Sequence, residues 1–312
     1  MNTDRDNAPV SRYAPQGFDG AAFVGALGHF AHLTSLESLV LSFRRDGAPL
    51  TSGVVMDNNN PGNFPGEIML QFVIFKVLSE TPDDFIRPLR SLTLDKFLPL
   101  PNPSIASPSV IALLRKLSHL AIKTSGQFEG IPMTDPRLEL EIPTPLFQKK
   151  VVPASLVSLE LHHTNIRSAD VLIPVSKIHL PLLERLSLQR TYFSEQGALE
   201  SFIANHGDTL VELKMFLCPM ALSTSRDEST ARPEGFRRWS QVWERFDRDL
   251  KVLRNLVVSE RLDSKGVEDS SHSRYLENLR DFKGAKLEGA EMDEDDGALK
   301  QFEKNVESRL RP

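Results

Sequence analysis

The sequence predicts an α/β protein: an irregular repeat solenoid with a parallel sheet on its concave side and helices on its convex side. Leucine is the most frequent residue, at 43 of the 312 positions, and one leucine spacing recurs along the chain. Between the recurring segments, apolar residues repeat with the period of amphipathic helices. A strand and a returning helix, repeated along a chain, form a stacked array with one continuous core.

The recurring spacing is Leu-x-x-Leu-x-Leu-x-x-(Asn/Cys/Thr)-x-apolar. Its three complete copies begin at Leu156, Leu183 and Leu210, so both intervals are 27 residues. That period lies within the range of about 20–29 residues that is typical of leucine-rich repeats. Copies that keep only the strand portion begin at Leu36, Leu89, Leu117 and Leu253. The pattern therefore predicts an irregular leucine-rich-repeat solenoid.

Each position of the repeat has an expected role. Leucines at positions 4 and 6 point inward from a short strand, because alternate strand residues lie on one face, and the leucine at position 1 points inward from the turn that enters the strand. Position 9 lies in the following bend, which gives Cys218 a buried structural role. Positions 3, 5, 7 and 8 are expected on the exposed concave surface. Unequal copy intervals indicate insertions at 44–65 and 123–153, the second with a short extra strand at 138–142.

Helices are expected on the convex side between the strands. Val110, Leu113, Leu114 and Leu117 form an apolar stripe after a start at Pro108. A second helix is expected over the apolar stripe Leu199, Phe202, Ile203 and His206, with Ser194 as its N-cap. The third carries the Trp239–Trp243 pair, which indicates either core packing and capping of the array or a groove for a partner.

Composition and charge narrow the functional class. The N-terminus has no secretory signal, and the longest apolar stretch is shorter than the roughly 20 residues of a membrane span. The lone Cys218 fits a reducing compartment. We therefore expect a cytoplasmic or nuclear protein with no membrane contact. A net charge of −5 gives no basic patch for nucleic acid.

The expected organisation has three parts. Residues 1–20 form a mobile N-terminal segment, and 21–262 form the repeat domain. Residues 263–312 form a charged acidic tail with a short terminal helix at 298–309, and the acidic run at 291–296 is expected to be solvated or to bind a partner.

No sequence motif points to catalysis. The chain has no phosphate-binding loop, dinucleotide fingerprint, nucleophile elbow or metalloprotease helix. His162 and His163 are adjacent, so they point to opposite faces of a strand and cannot easily share a metal; both are expected to be exposed. We therefore expect no metal, no cofactor and no enzyme activity, although a site built from distant insertions would leave no linear pattern.

The function expected from the fold is protein recognition on the concave surface. The candidate partner-binding residues are Glu160, His162, Arg185, Gln189, Arg190, Lys214 and Phe216. Arginine and aromatic side chains are frequent anchors of protein interfaces. Phe216 and Leu217 form either an exposed anchor pair or a pair covered by another part of the chain.

Several segments resemble the repeat region of fungal F-box-like proteins. They include Phe85-Ile-Arg-Pro-Leu-Arg-Ser-Leu-Thr-Leu, His179-Leu-Pro-Leu-Leu-Glu-Arg-Leu-Ser-Leu, Phe202-Ile-Ala-Asn-His-Gly-Asp-Thr-Leu-Val-Glu-Leu and Trp239-Ser-Gln-Val-Trp-Glu-Arg-Phe. The resemblance covers about residues 25–310. It implies a non-catalytic part of a cullin-type ubiquitin ligase that recruits the substrate.

In such proteins an N-terminal F-box binds the ligase adaptor. Residues 1–30 lack its Leu-Pro-led helices, so adaptor binding would require an F-box upstream of Met1. The alternative is a stand-alone scaffold or inhibitor with no ubiquitin role.

Overall fold

A computed structural model of the chain gives the positions of its strands and helices. It describes residues 25, 35–43, 66–80, 89–97, 103–124, 154–168, 175, 178–194, 197–221, 237–259, 275–278, 283–284 and 289–310. The strands are β1 (Ser38–Ser42), β2 (Ser91–Phe97), β3 (His119–Thr124), β4 (Ser158–Ser168), β5 (Arg185–Tyr192), β6 (Glu212–Phe216), β7 (Met220–Ala221), β8 (Asn255–Ser259), β9 (Tyr275–Asn278) and β10 (Lys283–Gly284). The α-helices are α1 (Gly66–Glu80), α2 (Pro108–Lys116), α3 (Ala198–Ala204), α4 (Trp239–Asp249) and α5 (Gly289–Ser308).

Seven strands form one parallel sheet in the order β1-β2-β3-β4-β5-β6-β8. Their register aligns position 4 of every copy in one ladder: Leu39, Leu92, Leu120, Leu159, Leu186, Leu213 and Leu256. Position 6 forms the second ladder: Leu41, Leu94, Ile122, Leu161, Leu188, Met215 and Val258. The predicted α/β class and its parallel sheet are therefore confirmed.

The same backbone hydrogen bonds recur where each copy enters the sheet. The carbonyl at position 2 accepts the N–H groups of positions 2 and 3 of the next copy. At the first step, Glu37 accepts from Arg90 at 2.8 Å and from Ser91 at 3.0 Å. The other carbonyls that accept in this way are those of Arg90, Ser118, Val157, Glu184 and Val211. Buried backbone groups must be paired, and this arrangement pairs them identically at each step.

The hydrophobic core lies between the leucine ladders and the helices. It joins position-1 leucines such as Leu183 and ladder residues to the apolar faces of the helices. Helix α2 begins at Pro108 as predicted, with Ser107 as its N-cap, and the Ser107 hydroxyl accepts the Val110 N–H at 3.4 Å. Proline suits this first position because its missing N–H would have no helical partner.

The start of α3 differs from the prediction. Its N-cap is Gly197 at φ 63°, not Ser194, whose carbonyl instead accepts the Gly197 N–H at 2.9 Å. A side chain at this left-handed position would also meet the Arg237 guanidinium, since a Cβ would lie 3.1 Å from Nη1. Glycine is therefore required at this turn for both conformation and space.

The two tryptophans of α4 lie in the core. Trp239 and Trp243 are both 3% exposed and stack at 4.7 Å between ring centroids. Phe302 of α5 stacks on Trp243 at 6.2 Å, and α5 packs against α4 and β8 at the last strand of the sheet. Of the two alternatives for the tryptophan pair, core packing and capping agrees with this arrangement.

The acidic run at 291–296 lies in α5, which begins well before the expected residue 298. Asp295 of this run is fully buried, so the run is not a solvated tail as a whole. A second, small sheet has the strand order β10-β9-β7. In the sequence, β7 precedes α4, and β9 and β10 lie between α4 and α5.

The predictions for 1–20, for the insertion at 44–65 and for the strand at 138–142 lie outside the described residues. Most of the insertion at 123–153 and of the segment at 263–288 also lies outside them. The division into 1–20, 21–262 and 263–312 stays a prediction.

Candidate functional site

The face of the seven-stranded sheet opposite the leucine ladders carries positions 3, 5 and 7. Strand register aligns these positions in three rows. The position-3 row is Ser38, Ser91, His119, Ser158, Arg185, Glu212 and Asn255. The position-5 row is Val40, Thr93, Ala121, Glu160, Ser187, Lys214 and Val257. The position-7 row is Ser42, Asp95, Lys123, His162, Gln189, Phe216 and Ser259. None of these side chains is buried, and this surface is termed the polar face.

Six of the seven candidate partner-binding residues lie on the polar face. Arg185 is in the position-3 row, and Glu160 and Lys214 are in the position-5 row. The position-7 row holds the other three side by side: His162, Gln189 and Phe216. The seventh, Arg190, follows at position 8 and is half-buried. The structure therefore brings the candidates together on β4, β5 and β6.

His162 is the centre of a polar contact across two strands. Its Nε2 lies 3.2 Å from the Ser187 Oγ and 3.9 Å from Oε2 of Glu160. Burial lowers the pKa of His162; Glu160 raises it and Lys123 lowers it further. Both neighbours contact the same ring nitrogen, whereas a catalytic triad places the carboxylate on the nitrogen opposite the serine. This arrangement is therefore a polar contact without the geometry of an activated serine.

Three side chains act on the Glu212 carboxylate: Lys214, Asn255 and Arg185. Lys214 Nζ lies 2.8 Å from one carboxylate oxygen, and the Asn255 amide donates to the other at 2.8 Å. These hydrogen bonds, that of Lys214 above all, and the charges of Lys214 and Arg185 hold the pKa of Glu212 below its usual value against the opposing effect of burial. Lys214 is thus engaged within the sheet.

Three candidates remain without such contacts. Within the described part of the chain, no hydrogen bond or ion pair is found for the Arg185 guanidinium, which is exposed. The Gln189 side-chain amide and the Phe216 ring likewise make no hydrogen bond or ring contact with described residues. A cation, an amide and an aromatic ring on one surface are thus free to contact another molecule.

Position 8 does not belong to the exposed surface in most copies, contrary to expectation. Phe43, Thr124 and His163 are buried, so His162 and His163 are not both exposed. In these copies the strand alternation continues past position 7, which turns position 8 toward the core. Thr124 Oγ1 and His163 Nδ1 lie 3.3 Å apart there. Leu217 is only 9% exposed, so Phe216 and Leu217 do not form an exposed pair.

The other copies have a left-handed residue at position 8. Lys96, Arg190 and Leu217 have φ values of 55°, 55° and 50°. The extra residue forms a bulge after Asp95, where the pairing of β2 with β3 shifts by one. Position 9 then points inward, as buried Thr191 shows. Sequence reasoning missed this feature because none of the three is glycine or asparagine, the usual residues at positive φ.

Cys218 occupies position 9 of its copy and is half-buried as a whole residue, not fully buried as predicted. Its Sγ lies 3.4 Å from the Phe216 carbonyl and 3.6 Å from the Leu188 carbonyl, and burial raises the pKa of the thiol to about 12. The thiol is therefore protonated at neutral pH and poorly nucleophilic, as a structural role requires.

Comparison of the chain with protein-family models, with curated proteins and with solved structures finds no match. Among the described residues, no three His, Cys, Asp or Glu side chains are grouped so that they could hold a metal ion. No helix within the described ranges is long and apolar enough to cross a membrane. The candidate site is thus defined by the geometry of the polar face.

Proposed function

We propose that the chain is a leucine-rich-repeat solenoid that binds a protein partner on its polar face without catalysis. The two leucine ladders and the recurring backbone hydrogen bonds at position 2 support the repeat architecture. In such a solenoid the strands line the concave side, and the extended concave surface is the usual place of binding.

One observation carries the binding function: Arg185, Gln189 and Phe216 share a continuous surface, and none of them makes a side-chain hydrogen bond, ion pair or ring contact with described residues, although the charge of Arg185 acts on Glu212. Truncation of arginine and aromatic side chains causes the largest losses at protein interfaces. The neighbouring Glu212 is already ion-paired with Lys214 and accepts a hydrogen bond from the Asn255 amide, so it opposes an incoming acidic group only weakly.

Affinity purification with a matched pair of variants tests this function. The wild-type chain, Arg185→Glu and the control Arg254→Glu are purified from the cells that express the protein, and recovered proteins are quantified by mass spectrometry. Arg254 is an exposed arginine at position 2, outside the polar face. We expect one partner whose recovery falls at least about tenfold with Arg185→Glu and stays unchanged with Arg254→Glu. Equal recovery with both variants would show that the polar face does not bind it.

The same experiment tests the ubiquitin-ligase setting that the resemblance implies. Recovery of a cullin and its adaptor with the wild-type chain is the result expected for a substrate-recruiting component. A stable complex with the partner and without the adaptor would instead favour a stand-alone scaffold or inhibitor. The cytoplasmic or nuclear location stays a prediction.

A further inference from the structure

The middle of the position-7 row presents four different chemical groups in a line. Lys123, His162, Gln189 and Phe216 are consecutive neighbours in the strand register of β3 to β6. They supply an ammonium group, an imidazole, an amide and an aromatic ring, and none is buried. These four residues are termed the position-7 strip.

The border of the polar face at this strip is cationic. Lys96 and Arg190 follow the row at position 8, and Lys96 is exposed. Among the described residues, they and Lys123 place three cations near two carboxylates: Asp95, which accepts a hydrogen bond from the Ser42 hydroxyl at 2.8 Å, and Glu160, which lies 3.9 Å from His162. The chain as a whole carries a net charge of −5. This border therefore favours an acidic ligand on an otherwise acidic protein.

The groups of the strip are available for contact. In the described part of the chain, Lys123 makes no hydrogen bond or ion pair, and its charge acts on His162. The Gln189 amide and the Phe216 ring are also unengaged there. A ligand could bind these three groups without breaking an internal hydrogen bond, so it would not leave a polar group unpaired.

The length of the strip matches an extended peptide. Neighbouring strands lie about 4.8 Å apart, so three strand steps separate Lys123 from Phe216 by about 14 Å. An extended chain rises about 3.3 Å per residue, and four residues span about 13 Å. Residues i, i+2 and i+4 of such a chain point to one side. Its first and last side chains can therefore meet the Lys123 ammonium and the Phe216 ring together.

We infer that the position-7 strip binds an extended acidic segment of the protein partner, with a carboxylate on Lys123 and an apolar side chain four positions away on Phe216. The residue between them lies over His162 and Gln189, where a polar side chain can hydrogen-bond to the amide. This inference rests on the proposed protein-binding function and names the kind of segment that is bound.

Selection from a random peptide library displayed on phage, against the full chain, tests the inference. We expect enriched sequences with Asp or Glu four positions from a large apolar residue. The selected peptides should bind Lys123→Gln and Phe216→Ser at least about tenfold more weakly than wild type, since the charge-assisted hydrogen bond to Lys123 and the apolar contact with Phe216 each contribute about this factor or more. The control Lys251→Gln changes an exposed lysine in the turn before β8 and should bind like wild type.

A charge-reversal variant keeps the test decisive if the other two variants fold poorly. Selection against Lys123→Glu should enrich Lys or Arg at the same spacing from the apolar residue. The inference is wrong if no sequences enrich on wild type, if enriched sequences lack the acidic residue, or if they bind Lys123→Gln as tightly as wild type. If peptides fail in this way while Arg185→Glu still abolishes recovery of a protein partner, the polar face binds a folded surface and only the peptide inference fails.

Discussion

His206 joins two segments through both of its ring nitrogens. Its Nε2 accepts the Leu180 N–H at 3.0 Å, so the other nitrogen carries the proton and Nδ1 donates to the Phe202 carbonyl at 2.6 Å. The ring is buried and stacks on His179 at 5.1 Å between centroids. Burial lowers the pKa of His206 below its ordinary 6.5; the Phe202 carbonyl raises it, and His179 lowers it further. The fold thus holds this histidine neutral.

Stability should therefore fall in mild acid because of His206. Between its lowered folded pKa and the ordinary value of 6.5, the unfolded chain binds the additional proton, so the free energy of unfolding decreases as pH falls through this window. Thermal melting of wild type and His206→Gln from pH 8 to pH 5 measures the effect. The variant should lose less stability on acidification, with a residual slope from His162, whose pKa burial also lowers. Identical pH slopes in the two proteins would contradict this assignment.

The backbone of Lys96 gives a second prediction about a single residue, because its φ of 55° is left-handed. A side chain in this conformation costs roughly 1–2 kcal/mol, which glycine does not incur. Replacing an ordinary strand residue by glycine instead costs roughly 0.5–1 kcal/mol. Lys96→Gly should therefore be at least about 1 kcal/mol more stable than Lys123→Gly. Urea denaturation of both variants measures the difference, and equal midpoints would exclude the left-handed bulge.

At the scale of elements, α4 and α5 are joined by a buried carboxylate. Asp295 of α5 accepts the Ser240 N–H at the start of α4 at 2.8 Å and the Tyr275 hydroxyl at 2.5 Å. It thus caps a helix from another helix, since the first N–H groups of α4 have no partner within it. Tyr275 in turn accepts the Trp239 N–H at 2.8 Å, and burial raises the pKa of its hydroxyl.

Loss of this carboxylate should loosen α5 from the sheet. Asp295→Ala leaves the Ser240 N–H and the Tyr275 hydroxyl buried without an acceptor, which should lower the free energy of unfolding by about 3 kcal/mol. Asp293→Ala in the same helix changes an exposed carboxylate and should stay within about 0.5 kcal/mol of wild type. Chemical denaturation compares them. Similar losses in the two variants would mean that helix propensity, not the buried cap, sets the effect.

The leucine ladders of the sheet and helix α5 differ in how much of their role the sequence predicted. The ladders were predictable because Leu186 and Leu188 recur in a fixed local spacing that sets their strand face directly. The packing role of α5 was not predictable. The apolar side of this helix consists of Leu299, Phe302 and Val306, and Asp295 extends it by one turn, but the acidic residues around Asp295 are typical of a solvent-exposed segment. Whether one carboxylate in such a run becomes buried depends on Tyr275 and Ser240, which are distant in sequence. Within the candidate site, the exposure of positions 3, 5 and 7 was predictable from strand alternation. The orientation of position 8 was not, because it depends on a left-handed backbone angle that no glycine or asparagine marks in the sequence.

At the scale of the whole molecule, the two ends of the main sheet are unlike. At β8 the core continues into α4 and α5, where Phe302 is 1% exposed. At β1, Val40 is 63% exposed, and Leu39 and Leu41 are half-buried, as Leu256 and Val258 are in β8. Each inner strand of the main sheet pairs with the strands of the preceding and the following copy, so stability depends on interfaces between adjacent copies. A break in a central strand should therefore cost more than one at the β1 edge.

The central strand β5 offers a matched test of this dependence. Leu186 is 1% exposed and lies in the position-4 ladder between Leu159 and Leu213, whereas Leu182, four residues earlier, is 53% exposed. Leu186→Asp places an unpaired charge among leucines and should remove more than about 4 kcal/mol, a large part of the roughly 5–15 kcal/mol of a typical domain. We expect Leu186→Asp to lose the cooperative melting transition and Leu182→Asp to melt within a few degrees of wild type. If Leu186→Asp stays folded with unchanged melting, position 4 does not face the core and the register of the array is wrong.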